Sequence, residues 1–201
     1  MTPEALVSAR LPAAAEELLA FWFAERSRTL WFERNEAFDE EIRARFAGLL
    51  AEGASGALAR WEETPSAALA LVILLDQFPR NMHRGRAEAF ACDPLARAIA
   101  GRAIERGFDA MVRHDRRPFF YLPFEHSEDL AEQDRSVALF QAWTEAAPEA
   151  ERQKCLEQCE WVLRHQEIIQ RFGRFPHRNP ALGRETTAEE EAFLKEPRSS
   201  F

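Results

Sequence analysis

Three short stretches concentrate the cations of this chain. Arg80 to Arg86 holds three Arg and one His with no acid. Arg113 to Arg117 holds three Arg, one His and one acid, and Arg171 to Arg184 holds four Arg, one His and no acid. Together they contain ten of the 26 cations and one of the 34 acids. Guanidinium and amide groups present fixed donors that match carboxylate or phosphate oxygens. Two of the stretches echo each other, as Phe78-Pro79-Arg80-Asn81 and Phe175-Pro176-His177-Arg178-Asn179. In each, Phe-Pro fixes a turn and supplies an apolar wall. Gathered at one end of a bundle, such loops would line an electropositive pocket. The competing reading is that these arginines pair with helix carboxylates or cap helix C-termini.

A second constellation runs from Arg117 to Asp129 and sets Glu125, His126, Glu128 and Asp129 beside four aromatic residues. A histidine flanked by a carboxylate is equipped for proton transfer. Four such ligands could also hold a metal, yet neither HExxH nor ExxH occurs in the chain. Ser127, Glu128 and Asp129 also make a good helix start. The HxE fragments His126-x-Glu128 and His165-x-Glu167 lack the Pro-Cys-x-x-Cys of a deaminase, and residues two apart on a helix diverge. His165 borders the apolar face of a long helix and reads as a satisfied core histidine. Cys155 and Cys159 share a helix face, and they read as buried small apolar residues rather than metal thiolates.

The elements that position these groups are helices. Glycine is scarce, at 8 residues, and apolar residues recur by threes and fours without strand-like alternation. Pro12 opens a helix over 13–24, and Phe38, Ile42, Phe46, Leu49 and Leu50 mark another over about 36–51. Gly53 and Gly56 suggest a turn, and Leu58 and Trp61 a short helix. Thr64-Pro65 caps a helix over 66–78 that is apolar nearly all round, which places it at the centre of a helical protein. Pro79, Asn81 and Gly85 favour a turn there. Asp93-Pro94 repeats the signal of a cap followed by a first-turn proline and starts a helix to about Arg106, with Gly107 as its C-terminal cap. Further helices are expected over 128–146, capped by Ser127, and over 148–172. A loop follows over 173–186, then a short helix behind Thr187. The expectation is an all-α fold of about eight helices with no sheet, as a helical-hairpin array or bundle. A single domain spans 1–201, with an ordered core over 12–196.

The chain has 201 residues, 46% of them hydrophobic and 11% aromatic, enough for a sizeable core and too many aromatics for a disordered chain. Its most apolar run, Ala67 to Leu75, is far shorter than the roughly 20 residues a membrane helix needs. Met1 to Arg10 lacks a basic region followed by an apolar one, so no secretory signal is expected. Net charge −8 and only two lysines exclude a nucleic-acid tracking surface. Three cysteines form no disulfide framework and fit a reducing cytoplasm.

Three blocks of the sequence are similar to the signature blocks of a bacterial family, domain of unknown function family 924. They are Leu74 to Asn81 (Leu-Leu-Asp-Gln-Phe-Pro-Arg-Asn), Phe119 to Asp129 and Arg171 to Asn179. Phe21-Trp22-Phe23 and Trp31-Phe32 resemble the family's opening. The resemblance implies a tetratricopeptide-like all-helical fold and implies no activity. The blocks coincide with two of the basic loops and with the Glu/His segment.

Two functions compete. The first is a small-molecule protein or enzyme whose anionic ligand lies between loops 76–86, 117–129 and 171–184. Its binding residues would be Asp76, Gln77, Arg80, Asn81, Phe120, Arg174, His177, Arg178 and Asn179. Glu125 and His126 would carry proton transfer, with no metal and no cofactor named. The second is a tetratricopeptide-like interaction module that takes an acidic peptide or a C-terminal carboxylate.

Overall fold

A computed structural model describes residues 11–200 of the chain. Met1 to Arg10, where no secretory signal is expected, and Phe201 lie outside the described residues. Ten α-helices and four short 3-10 turns make up the secondary structure, with no strand among the described residues. The chain divides into two compact units, one built from residues up to 84 and 88–123, the other from 85–87 and 124–201.

In the first unit, α1 (Ala13–Trp22), α2 (Glu25–Arg28) and α3 (Glu36–Ala54) lead to a 3-10 turn at Ala59–Glu63. Asn35 caps α3 by accepting the Phe38 N–H at 3.0 Å. α4 (Pro65–Met82) is the core element, and every residue from Ala67 to Phe78 is buried. It packs against α1, α3 and α5 (Asp93–Glu105). Burying an aliphatic side chain of this kind stabilises by roughly 1.5–3 kcal/mol. Gly53 lies inside α3 rather than in a turn. A Cβ there would meet Leu74 Cδ2 at 3.2 Å and Leu75 Cδ2 at 3.3 Å, so the glycine permits the close approach of α3 to α4.

Two expectations shift here. α4 runs through Pro79 to Met82 instead of turning at the proline. Arg80 Nη1 donates to the Asp76 carbonyl at 2.6 Å, within the turn that the proline disturbs. Asp93 is the first residue of α5, not its cap, and its carboxylate faces Arg80. Gly107 does adopt the left-handed conformation, φ 71°, that ends this stretch and admits α6 (Phe108–Met111). The aromatic segment from Pro118 is helical, as α7 (Pro118–Glu125), and the units divide within it.

In the second unit, α8 (Leu130–Glu145) and α9 (Glu149–Phe172) form a helical hairpin joined by three residues. Asp129, not Ser127, caps α8 by accepting the Ala131 N–H at 2.8 Å. That leaves Glu128 outside the helix. Gly173 ends α9 in the left-handed conformation. The chain then turns through a 3-10 turn at Pro176–Arg178 into α10 (Ala188–Phe193), where Thr187 and Glu190 form a capping box. Ile168, Ile169, Phe175 and Phe193 make a small core beneath this loop.

Candidate functional site

The predicted site residues divide between the two units. In the first unit, Asp76, Gln77, Arg80 and Asn81 occupy the last turns of α4. Proline within that helix and the apolar surround leave these the only polar groups on a buried segment, so each requires a partner. Gln77 Nε2 donates to Asp76 Oδ2 at 2.6 Å. Arg80 grips Asp93 with both terminal nitrogens, at 2.9 and 3.0 Å, and lies 3.5 Å from Asp76. Asn81 Nδ2 donates to Asp39 Oδ1 at 2.8 Å, and Arg84 closes on both oxygens of the same carboxylate. Phe120 is fully buried. Asp39 and Asp93 therefore belong with the predicted set, and sequence reasoning missed both. They stand 42 and 13 residues from their partners, and no local pattern signals such pairs.

In the second unit, two carboxylates organise the loop after α9. Glu128 accepts from Arg184 Nη1 at 2.7 Å, from Arg184 Nη2 at 2.9 Å and from the Phe175 N–H at 2.8 Å. Burial pushes its carboxyl up, but the Arg184 hydrogen bonds, the Phe175 N–H and the nearby Arg184 and Arg178 charges outweigh it and hold it below the usual range. Glu190 accepts from Arg174 at 2.6 and 2.9 Å, from Asn179 Nδ2 at 3.2 Å and from the Thr187 N–H at 2.8 Å. The Arg174 hydrogen bond, with the Thr187 bonds and the Arg174 charge, brings its carboxyl down to about 2 against the opposing effect of burial. Arg184 Nε also donates to Asn179 Oδ1, linking the two clamps.

Glu125 is buried and lies 2.9 Å from His165 Nδ1, which is also 2.8 Å from the Trp161 carbonyl. The expected core position of His165 is found, and its carboxylate partner was not foreseen. The side chain of Arg178 is also buried. Its Nη1 donates to the His126 carbonyl at 3.0 Å and its guanidinium lies over the Phe175 ring. The ring of His177 lies 5.6 Å from that of Phe175.

Chemically, the arrangement is a set of charge-assisted clamps and one buried acid–base couple. Arg80, Arg84, Arg174 and Arg184 each hold an internal carboxylate with two donors. No group of three or more His, Cys, Asp and Glu among the described residues is arranged to hold a metal ion. An open depression on the second unit, edged by Leu163, Arg164, Pro197 and Arg198, includes none of the predicted site residues.

Comparison with known proteins covers most of the chain. A family described as "Bacterial protein of unknown function (DUF924)" matches residues 18–198. The chain belongs to this family. A solved structure, that of a protein of unknown function, ATU0120, from Agrobacterium tumefaciens, is 43% identical with a TM-score of 0.80. The match covers 91% of this chain and 97% of the neighbour. No curated protein matches. The DUF924 match contains both sets of clamps, since residues 39 to 190 lie inside it.

Proposed function

We propose that this DUF924 protein is a tetratricopeptide-like interaction module that binds an acidic protein segment in the cytoplasm. One observation carries the reading. Of the arginines expected to receive a free anion, Arg80 and Arg174 are engaged by carboxylates of the chain itself, at Asp93 and Glu190, as are Arg84 and Arg184 of the same loops, at Asp39 and Glu128, while Arg178 donates to the His126 carbonyl. A small anion would have to displace bidentate, partly buried ion pairs, each of which is costly to break. A helical scaffold whose loops are locked internally is suited to presenting a fixed surface to a partner. Large apolar side chains remain exposed on it, notably Phe32, Leu156, Trp161 and Leu163. Cys92, Cys155 and Cys159 are free thiols, which agrees with a reducing compartment. No helix among the described residues is long and apolar enough to cross a membrane.

The test is affinity capture with the full chain from bacterial lysate, with parallel denaturing mass spectrometry of the bait. A stoichiometric protein partner that polyglutamate displaces supports the module. A bait carrying a stoichiometric metabolite and no protein partner overturns it.

A second reading, a small-molecule enzyme, is favoured by the Glu125–His165 couple, since a buried carboxylate–imidazole pair can hold and pass a proton. Its test is a metabolite-consumption screen with wild type and Glu125→Gln. Turnover lost in the variant, with an unchanged melting temperature, would establish it.

A further inference from the structure

In the basic stretch Arg113 to Arg117 the arginines are not all clamped by carboxylates. The stretch faces α2 and the turn after it, within the first unit. Asp115 serves two guanidinia, Arg28 at 2.9 Å and Arg113 at 3.1 Å. Arg116 makes no hydrogen bond to a carboxylate among the described residues, and its buried Nε lacks a partner. Instead its guanidinium lies over the Phe23 ring at 4.4 Å. Burial lowers the pKa of Arg116, and Arg113 and Arg28 add to this against the pull of Asp115. A further carboxylate would relieve that crowding of positive charge.

An apolar surface adjoins the cations. Arg28 lies 5.3 Å from both the Phe23 and Trp31 rings. Trp31 packs against Phe119 at 4.9 Å and is held by its Nε1 bond to the Trp22 carbonyl at 2.8 Å. Phe32 continues this aromatic row and is 69% exposed, the largest exposure of any bulky apolar residue described. The row therefore emerges from the buried Phe23 and Phe119 rings into an apolar shelf at the half-buried Trp31 and the exposed Phe32, with excess positive charge along one side.

We infer that Arg28, Arg113 and Arg116, with Trp31 and Phe32, dock an acidic segment of a partner protein in which a carboxylate stands next to a bulky apolar side chain. The inference rests on the interaction-module reading and gives it a site. Charge complementarity selects the carboxylate, and guanidinium forks favour it over a neutral amide. The open, half-exposed shelf suits a peptide better than a small molecule, which takes a concave site. The net negative charge of the chain does not oppose contact, because at physiological salt charges beyond about 8 Å are screened.

The experiment is fluorescence anisotropy of the full chain with an array of labelled octapeptides. Each contains Glu throughout except for one Leu or Phe at a varied position. Matched peptides carry Gln for Glu, and phenyl phosphate serves as a small anion. The expected result is saturable binding of some Glu peptides and none of their Gln counterparts. Arg116→Gln should weaken it about tenfold, and Phe32→Ala should weaken it while the control Arg26→Gln does not. Circular dichroism and melting of each variant separate lost binding from lost folding. Binding equal in Arg116→Gln and wild type overturns the site while leaving the module intact. Arg116-dependent binding of phenyl phosphate without any peptide overturns both. No binding of any array member overturns the site, and the lysate capture then decides the module separately.

Discussion

Arg184 and Glu128, 56 residues apart in sequence, meet in a two-pronged ion pair with Nη1–Oε2 at 2.7 Å and Nη2–Oε1 at 2.9 Å. The same carboxylate accepts the Phe175 N–H, so one side chain ties the loop after α9 to the entry of α8. Replacing Glu128 by Gln removes the negative charge and turns one of its two acceptor oxygens into an amide donor that faces the Arg184 guanidinium. The expected cost is about 2 kcal/mol, below that of a fully buried pair because the site is partly solvated. The melting temperature should fall by about 4–8 °C. Differential scanning calorimetry checks this, and an unchanged transition would remove Glu128 from the clamp.

Glu190 gives the acid limb of stability. Its carboxyl is held at about 2 in the folded chain, against an ordinary 4.5. A group with a depressed folded pKa contributes stability above its unfolded pKa and loses it as pH falls through the folded one. Stability should therefore decline between about pH 4.5 and about pH 2. Glu190→Gln should be less stable than wild type at pH 7, and the difference should shrink across that window. Urea midpoints measured at steps of pH test this. A gap that stays constant down to pH 2 would exclude the carboxylate as its source.

The Arg80–Asp93 pair makes the corresponding claim for the first unit. Asp93→Ala leaves a half-buried guanidinium beside Asp76 and the Phe90 ring, with its second carboxylate gone. The expected loss is about 2–3 kcal/mol. Asp93→Asn should recover part of it by accepting one hydrogen bond. Equal stability of Asp93→Ala and wild type in urea unfolding would contradict the pairing.

Ser27 and Ser136 predict the opposite sign. Both are fully buried, and neither Oγ has a hydrogen-bond partner. An unsatisfied buried hydroxyl costs about 1–3 kcal/mol. Ser27→Ala and Ser136→Ala should therefore leave the melting temperature unchanged or raise it. A fall of several degrees in either variant would mean that its hydroxyl is bonded after all.

Much of this fold is legible along the chain, because helix signals are local. Thr64-Pro65 opens α4 and Gly107 closes the stretch after α5, as their backbone chemistry requires. Pro79 misleads: a proline reads as a break, but the apolar burial of α4 and the Arg80 bond to the Asp76 carbonyl carry the helix past it. Ser127 misleads in a smaller way, since Asp129 takes the cap and releases Glu128 to Arg184. The basic loops are visible as composition. Their partners Asp39, Asp93 and Glu190 are not, because an ion pair between distant residues leaves no periodic trace. His165 reads correctly as a core histidine, but nothing local couples it to Glu125. Arg116 stands out in neither reading until its neighbours are known, since what distinguishes it is a missing carboxylate rather than a motif.

The central claim is that the basic-loop arginines hold the fold instead of a free anion. Thermal unfolding of wild type, Arg80→Gln and Arg184→Gln, with and without phosphate, citrate and nucleotides, tests it most directly. The account predicts that each variant melts about 4–8 °C below wild type, and that no anion raises the wild-type transition selectively. A ligand at about 100 times its Kd would add roughly 2.7 kcal/mol, a shift large enough to see. Variants that melt with wild type, together with an anion that stabilises wild type but neither variant, would contradict the account and return the arginines to a ligand.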